Sequence, residues 1–259
     1  MPLLARFSLL GDLRVAFQIA LWPTLKQVWS NPSLLLQPTA ISRIVMSHVW
    51  STFGPGIDGN SVETKKGLVT QYAYGVVLDV GAGHGHTAKY LDKSRVTTYV
   101  ALEPNVNMHE ELRRAANAAG FSESSGTFVL LSCGAEDITT ILTSLGGYQP
   151  VDTIMSILTL CSVPEPQSTI KSLATEVLKP GGQVLFYEHV QSPHPNVVWW
   201  QIFWSPIWSM AFDGCRLDRP THLWVRDAAR WDVEEVWGLQ NESEEHLFWH
   251  RLGRFVKAT

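Results

Sequence analysis

Val77-Leu78-Asp79-Val80-Gly81-Ala82-Gly83-His84-Gly85 is the stretch whose reading decides the fold. Its branched apolar run is the pattern of a strand buried on both faces, as in a parallel sheet. The glycines that follow permit dihedrals and close backbone approach that a side chain would obstruct. Residues 84–93 then read as a helix and 98–103 as the next strand, so the glycine turn joins strand to helix. In open α/β sheets, ligands bind beyond the carboxyl ends of the strands. A nucleotide-like ligand is therefore expected on this turn. Glu103 ends the second strand, where a carboxylate accepts hydrogen bonds from both hydroxyls of a ribose.

The same alternation continues outward. Residues 108–119 read as a helix with Gly120 just past its end. Residues 128–132 read as a third strand, 152–160 as a fourth, 167–178 as a helix stopped by Lys179-Pro180-Gly181-Gly182, and 183–189 as a fifth strand. Such repetition requires right-handed crossovers and a parallel sheet with helices on both faces. Segments near 232–239 and 246–257 suggest a closing hairpin. The 11 tryptophans bracket this layer structure, none falling between positions 51 and 198. An N-terminal helical segment over 1–60 and an aromatic insertion over 190–222 are expected to decorate a domain spanning 61–259.

With 259 residues, 45% hydrophobic and only 17% charged, the chain has ample material for a core and is not a disordered sequence. A net charge of −4 argues against a nucleic-acid partner, whose phosphates demand a basic surface. Three cysteines, far apart along the chain, point to a reducing, cytoplasmic setting without a disulfide framework. Residues 2–29 are apolar but interrupted by Arg6, Asp12, Arg14 and Lys26, whereas a bilayer span needs about 20 apolar residues. An amphipathic helix is expected there, covering the protein's own core, with peripheral membrane contact as the alternative.

The glycine spacing is G-x-G-x-G, not the G-x-G-x-x-G of dinucleotide sites, and no G-K-[ST] follows to make a P-loop. S-adenosylmethionine carries no phosphate, and an acid such as Asp79 suits its ammonium and sulfonium charges. The spacing favours that ligand over NAD or FAD.

Residues 75–190 resemble the class I S-adenosylmethionine-dependent methyltransferases in four ordered pieces, VLDVGAGHG, VALEPN, CGAEDI and LKPGGQVLFYEHV. Leu160-Cys161-Ser162-Val163, Glu188-His189-Val190, Trp200-Gln201 and Asp213-Gly214-Cys215 bring the resemblance nearest to the methyltransferase-like 7 group of small-molecule thiol methyltransferases. The resemblance implies a Rossmann-like α/β fold. That fold is a mostly parallel seven-stranded sheet with helices on both faces, an N-terminal helical lid and an aromatic insertion after strand five. It also implies S-adenosyl-L-methionine as cofactor. Gly81, Gly83 and Gly85 would pass beneath its methionine part, Asp79 would sit near the amino-acid end, and Glu103 would hold the ribose. Ala135 with Glu136 or Asp137 would grip the adenine, and Leu158 to Ser162 would lie against the methyl-bearing sulfur. The implied acceptor is a nucleophile on an apolar small molecule, thiol first, then hydroxyl, then amine. A non-methylating elimination or cyclisation on the same scaffold and an NAD-dependent oxidoreductase stay open as alternatives.

A thiolate acceptor needs little beyond a lowered pKa, whereas a hydroxyl benefits from a positioned base. His189, Glu188 and Asp213 are the candidates, with His222 farther on. His84 and His86 begin the expected helix, where the helix dipole disfavours protonation. Residues 197–212 read as an aromatic cap over the acceptor, with Trp200, Trp204 and Trp208 on one helical face up to Pro206. Cys161 and Cys215 are candidate cleft-lining residues. No metal site is expected, since His246 and His250, four apart in an expected strand, would not bring their rings close.

Overall fold

The computed structural model describes residues 6–259; residues 1–5, the start of the expected N-terminal segment, lie outside them. Two long helices, α1 (Leu9–Ser30) and α2 (Pro38–Asn60), precede the sheet, and α3 (Val62–Lys65) leads into β1 (Gly75–Val80). β2 (Val96–Leu102), α4 (His109–Ala118), β3 (Phe128–Leu131), α5 (Ile138–Leu145), β4 (Val151–Ile157), α6 (Pro166–Ser172) and β5 (Leu178–Val190) continue the alternation. After β5 come α7 (Pro195–Ala211), α8 (Thr221–Arg226), β6 (Trp231–Trp237) and β7 (Trp249–Lys257). The sheet order is β3-β2-β1-β4-β5-β7-β6. β1 to β5 are parallel, while β7 runs antiparallel to both β5 and β6. The Rossmann-like sheet and its closing hairpin are both present.

Each strand divides its side chains between two faces because successive residues point oppositely. Leu78, Val80, Ile154, Val184 and Phe186 pack with Ile141 of α5, Ile170 of α6 and Val225 of α8. Val77, Met155, Leu185 and Tyr187 pack on the other face with Leu68, Tyr90 and Leu112. A third cluster joins α1, α2 and α7 through Ala16, Ala20, Val49, Trp204 and Trp208.

Four local expectations are corrected. Residues 84–93 form turns with one short 3₁₀ turn at Ala88–Tyr90, not an α-helix. Gly81, Gly83 and Gly85 all have positive φ, and Asp58 of α2 pins the segment through Lys89 Nζ at 2.5 Å and Tyr90 Oη at 3.1 Å. Lys179 to Gly182 do not precede the fifth strand but belong to it, through a register shift opposite Val151–Thr153. α7 continues through Pro206 to Ala211. Finally, α1 is not amphipathic. It turns small residues such as Ala16 and Ala20 inward while Phe17, Trp22, Leu25 and Trp29 face out, so both faces are apolar.

Candidate functional site

The strand order reverses between β1 and β4, the point where a crevice opens in sheets of this kind. A cleft of about 680 Å³ lies there. Asp79 to Gly83 form its floor, and Glu103 and Gly134 to Glu136 one wall. Leu158, Thr159 and Ser162 form the other wall, and α2 roofs the cleft with Arg43, Met46 and Trp50. Met210, Asp213 and Gly214 close the end. A shallower groove of about 940 Å³ leads away past Arg43 and Pro104 toward Lys26 and Asn31.

The floor is built of backbone for a steric reason. Gly81 has φ +67°, and a Cβ there would stand 2.2 Å from Thr159 Cγ2. Glu103 is bound from both sides: Gly83 N–H donates to Oε2 at 2.8 Å and Asn105 N–H to Oε1 at 2.8 Å. Each carboxylate oxygen retains acceptor capacity, and burial raises the pKa of the group above the usual carboxylate range. Asn105 Nδ2 in turn donates to the Arg43 carbonyl at 2.8 Å, fastening the roof to the wall. Asp79 is fully enclosed with Tyr99 Oη donating at 2.9 Å, and burial pushes its pKa to about 7. Lys65 also lines the cleft, its ammonium 2.8 Å from Asp58.

The remaining candidates separate into those facing the cleft and those behind it. Ala135, Glu136 and Leu158 face it. Asp137 instead caps α5, accepting from Thr140 N–H at 3.1 Å and Thr140 Oγ1 at 2.7 Å. Leu158 has φ +58°, a strained conformation for a branched side chain, and its N–H donates to the Tyr187 carbonyl at 2.8 Å. Gly85 does not line the cleft. A Cβ there would meet Ala115 Cβ at 2.8 Å, so its bareness lets the turn pack on α4. His86 lines the cleft and His84 does not; burial lowers the pKa of both, and no helix dipole operates there.

Of the expected acid–base residues, Asp213 alone reaches the cleft, at φ +46°, with its pKa raised by burial against the opposing charge of Arg43. Glu188 lies behind the wall. Its Oε1 accepts from Ser156 Oγ at 2.7 Å, Thr159 N–H at 2.9 Å and Leu160 N–H at 3.2 Å, so it sets the loop that carries Leu158. His189 Nε2 points to Cys215 Sγ at 3.3 Å, also behind the wall. His222 does not line the cleft, and burial lowers its pKa to about 4.

The tryptophans of α7 do not cap the cleft. Trp204 Nε1 donates to the Arg6 carbonyl at 2.7 Å and Trp208 stacks on Phe212 with centroids 3.8 Å apart, because that helix face is needed to bury α1 and α2. Cys161 and Cys215 likewise stand one residue behind the lining. His246 precedes β7, which frees its ring to stack on His250 with centroids 6.1 Å apart. Sequence reasoning missed Arg43, Trp50 and Lys65. No motif marks them; helical spacing in the segment before β1 is the only signal they carry.

The match over residues 64–251 to the family described as "Methyltransferase domain" now joins this geometry. The chain belongs to that family. Thiol S-methyltransferase TMT1B of Homo sapiens is 30% identical over 159 residues, covering 60% of this chain and 60% of the relative. The chain therefore spans less than two thirds of that relative's length. An O-methyltransferase family protein from Burkholderia thailandensis has a TM-score of 0.60 at 14% identity, covering 92% of this chain and 71% of the other. The [4+2]-cyclase SpnF has a TM-score of 0.54 at 13% identity, over 77% of this chain and 81% of the other. Both structural likenesses concern the fold. The family cofactor is S-adenosylmethionine, and the residues present fit it. Glu103 keeps acceptors for a diol, a Cβ at Gly83 would take up space facing Trp50 Nε1 at 3.1 Å, and Asp79 is a wholly buried acid bonded to the neutral Tyr99 hydroxyl.

Proposed function

We propose that this member of the methyltransferase-domain family transfers a methyl group from S-adenosylmethionine to the thiol of an apolar small molecule. One juxtaposition supports the reading most. The Asp79 floor and the Glu103 wall share one cleft with the apolar side chains of Met46, Ile157, Leu158, Val163 and Met210 and with Asp213. The cofactor supplies a methyl already activated on a sulfonium. In this reading Glu103 holds the ribose hydroxyls while Gly81 and Gly83 run beneath the amino-acid end. Asp79 takes its ammonium and Lys65 its carboxylate. Ala135 and Glu136 hold the adenine. Glu188 sets the Leu158 loop, which aligns the acceptor, and alignment is the main requirement of an in-line displacement. Asp213, whose pKa burial brings closer to that of a thiol, removes the acceptor proton. His189 is a positioning residue behind the wall. The segment up to Asn60 is the lid, and the Lys26–Arg43 groove the approach.

The partner surface follows from α1. Trp29 of α1 and Leu36 just after it are 88% and 86% exposed, Trp22 of α1 is exposed beside them in sequence, and Trp199, Phe203 and Met210 show the same apolar character on α7. Such a surface suits peripheral contact with a bilayer interface, where an apolar acceptor would partition. No helix among the described residues is long and apolar enough to cross a membrane.

Labelled-methyl transfer across a panel of apolar thiols, phenols and amines tests the reading, with the highest kcat/KM expected for thiols. Transfer to oxygen or nitrogen alone would overturn the acceptor assignment. Turnover of an acceptor that leaves the cofactor methyl in place would assign an elimination or cyclisation instead. Flotation with phosphatidylcholine vesicles tests the surface, and Trp22→Ser with Trp29→Ser should leave the protein at the bottom of the gradient.

A further inference from the structure

Three side chains from distant parts of the chain meet behind the cleft wall. Cys161 follows β4, Cys215 follows α7, and His189 is the penultimate residue of β5. Cys215 Sγ lies 3.3 Å from Cys161 Sγ and 3.3 Å from His189 Nε2, and one donor atom from each residue lies within 4.8 Å of the other two. All three residues are more than nine-tenths buried. His189 Nδ1 is enclosed and has no hydrogen-bond partner. Phe248 lies edge-on to the ring with centroids 5.4 Å apart. Thiols are weak donors and weak acceptors, so hydrogen bonding alone leaves these polar groups poorly satisfied.

The arrangement fits a cation better than it fits a thiol cluster. Tetrahedral zinc, with Zn–S near ~2.3 Å and Zn–N near ~2.0 Å, places its sulfur and nitrogen ligands roughly 3.5–3.8 Å from one another. The observed contacts need open by only a few tenths of an ångström. Two thiolates, a neutral imidazole and a divalent cation sum to zero charge, so burial opposes no net charge. The ligands also stand on held backbone. The Arg219 guanidinium donates to the carbonyls of Cys161 at 2.7 Å and Val163 at 2.8 Å, Arg216 N–H donates to the Cys161 carbonyl at 3.1 Å, and His189 sits in a paired strand. Ser162 Oγ, 3.6 Å from Cys161 Sγ, is the polar atom on the cleft side, so a fourth ligand comes from it or from water.

We propose that Cys161, His189 and Cys215 form a site for a thiophilic divalent cation, zinc by charge and ligand preference, that ties the loop after β4 to the loop after α7. Ser162 on one side and Gly214 on the other line the cleft, so the ion holds two cleft walls in register.

Cobalt substitution of the full-length, metal-stripped protein tests the site without recourse to activity. One Co²⁺ per chain with sulfur-to-cobalt charge-transfer absorption is expected, displaced by Zn²⁺. The absorption should vanish in Cys161→Ser and Cys215→Ser and persist in Cys133→Ser. Should the serine variants fail to fold, wild-type protein answers by peptide-mapped alkylation. Zinc at ten times its Kd should slow modification of Cys161 and Cys215 about tenfold relative to chelator-treated protein. Cobalt binding without a thiolate band, or alkylation that zinc does not slow, would overturn the proposal. So would isolation of the pair as a Cys161–Cys215 disulfide that reduction does not convert to a metal-binding form.

Discussion

Asp79→Asn separates the cost of the cofactor site from its benefit. In the free protein the Asp79 carboxyl titrates near 7, because it is wholly buried and its hydrogen-bond partner is the neutral Tyr99 hydroxyl. The unfolded chain loses that proton at the ordinary value, 3.8. Ionisation therefore favours unfolding, increasingly as pH rises through this window and with a plateau above it. At 1.36 kcal/mol per pH unit, the penalty is on the order of 4 kcal/mol at neutral pH. A bound ammonium would return the carboxyl to its ionised form, so cofactor binding below pH 7 must expel a proton. From pH 7.0 to 5.5 the ionised fraction of the free protein falls from about one half to about 3%, and Kd should rise about sixteen-fold. The cofactor's own α-amino group, with a pKa of about 7.7–8.0, stays protonated across that range. Titration calorimetry at pH 5.5, 6.25 and 7.0 gives the slope, and a thermal melt gives the stability. The asparagine variant should bind more weakly at pH 7, lose most of the slope, and melt at a higher temperature than the parent. A parent Kd that is flat across the window, or a variant that keeps the full slope, would refute the reasoning.

Glu103→Ala should weaken cofactor binding by roughly a hundredfold, the value of two charge-assisted hydrogen bonds at about 1.5 kcal/mol each, as read by calorimetry. It should also lower the melting temperature, since Gly83 and Asn105 lose the acceptor for their N–H groups. Glu188→Gln keeps the accepting Oε1 and should melt close to the parent. Glu188→Ala, which strands the Thr159 and Leu160 N–H groups, should lose about 2–3 kcal/mol; equal melting of the two variants would remove the loop-setting role. Asp213→Asn should lower kcat by about 10²-fold or more for alkyl thiols and much less for acidic aryl thiols, which are already ionised. Equal losses on both classes would deny it a role as base.

The central layers were legible because strands and turns carry their pattern locally. Branched runs such as Val76-Val77-Leu78, and Gly120 after α4, announce themselves within a few residues. The departure after the glycine turn was not legible, because the competitor to the helix is Asp58, which lies on another element and captures Lys89 and Tyr90. Among site residues, Asp79 and Glu103 could be placed because each closes a strand at the cleft end. Glu188 and His189 also close a strand, but alternation sends their side chains to opposite faces, and neither face opens on the cleft at that height. The tryptophans of α7 misled for a related reason. Aromatic spacing shows that a face is shared, but not what lies against it. Only tertiary packing reveals that α1 and α2 occupy that face.

β7 has a consequence for how the molecule is made. It is the last strand in chain order, yet it lies between β5 and β6, with Phe255 fully buried. Until those nine residues emerge, β5 presents a bare row of amides along its outer side and β6 has nothing to pair with. Biosynthesis thus leaves a nascent chain with an adhesive flank from the completion of β5 at Val190 until β7 is made. A deletion that stops short of Trp249 should accumulate as aggregate rather than as a trimmed enzyme.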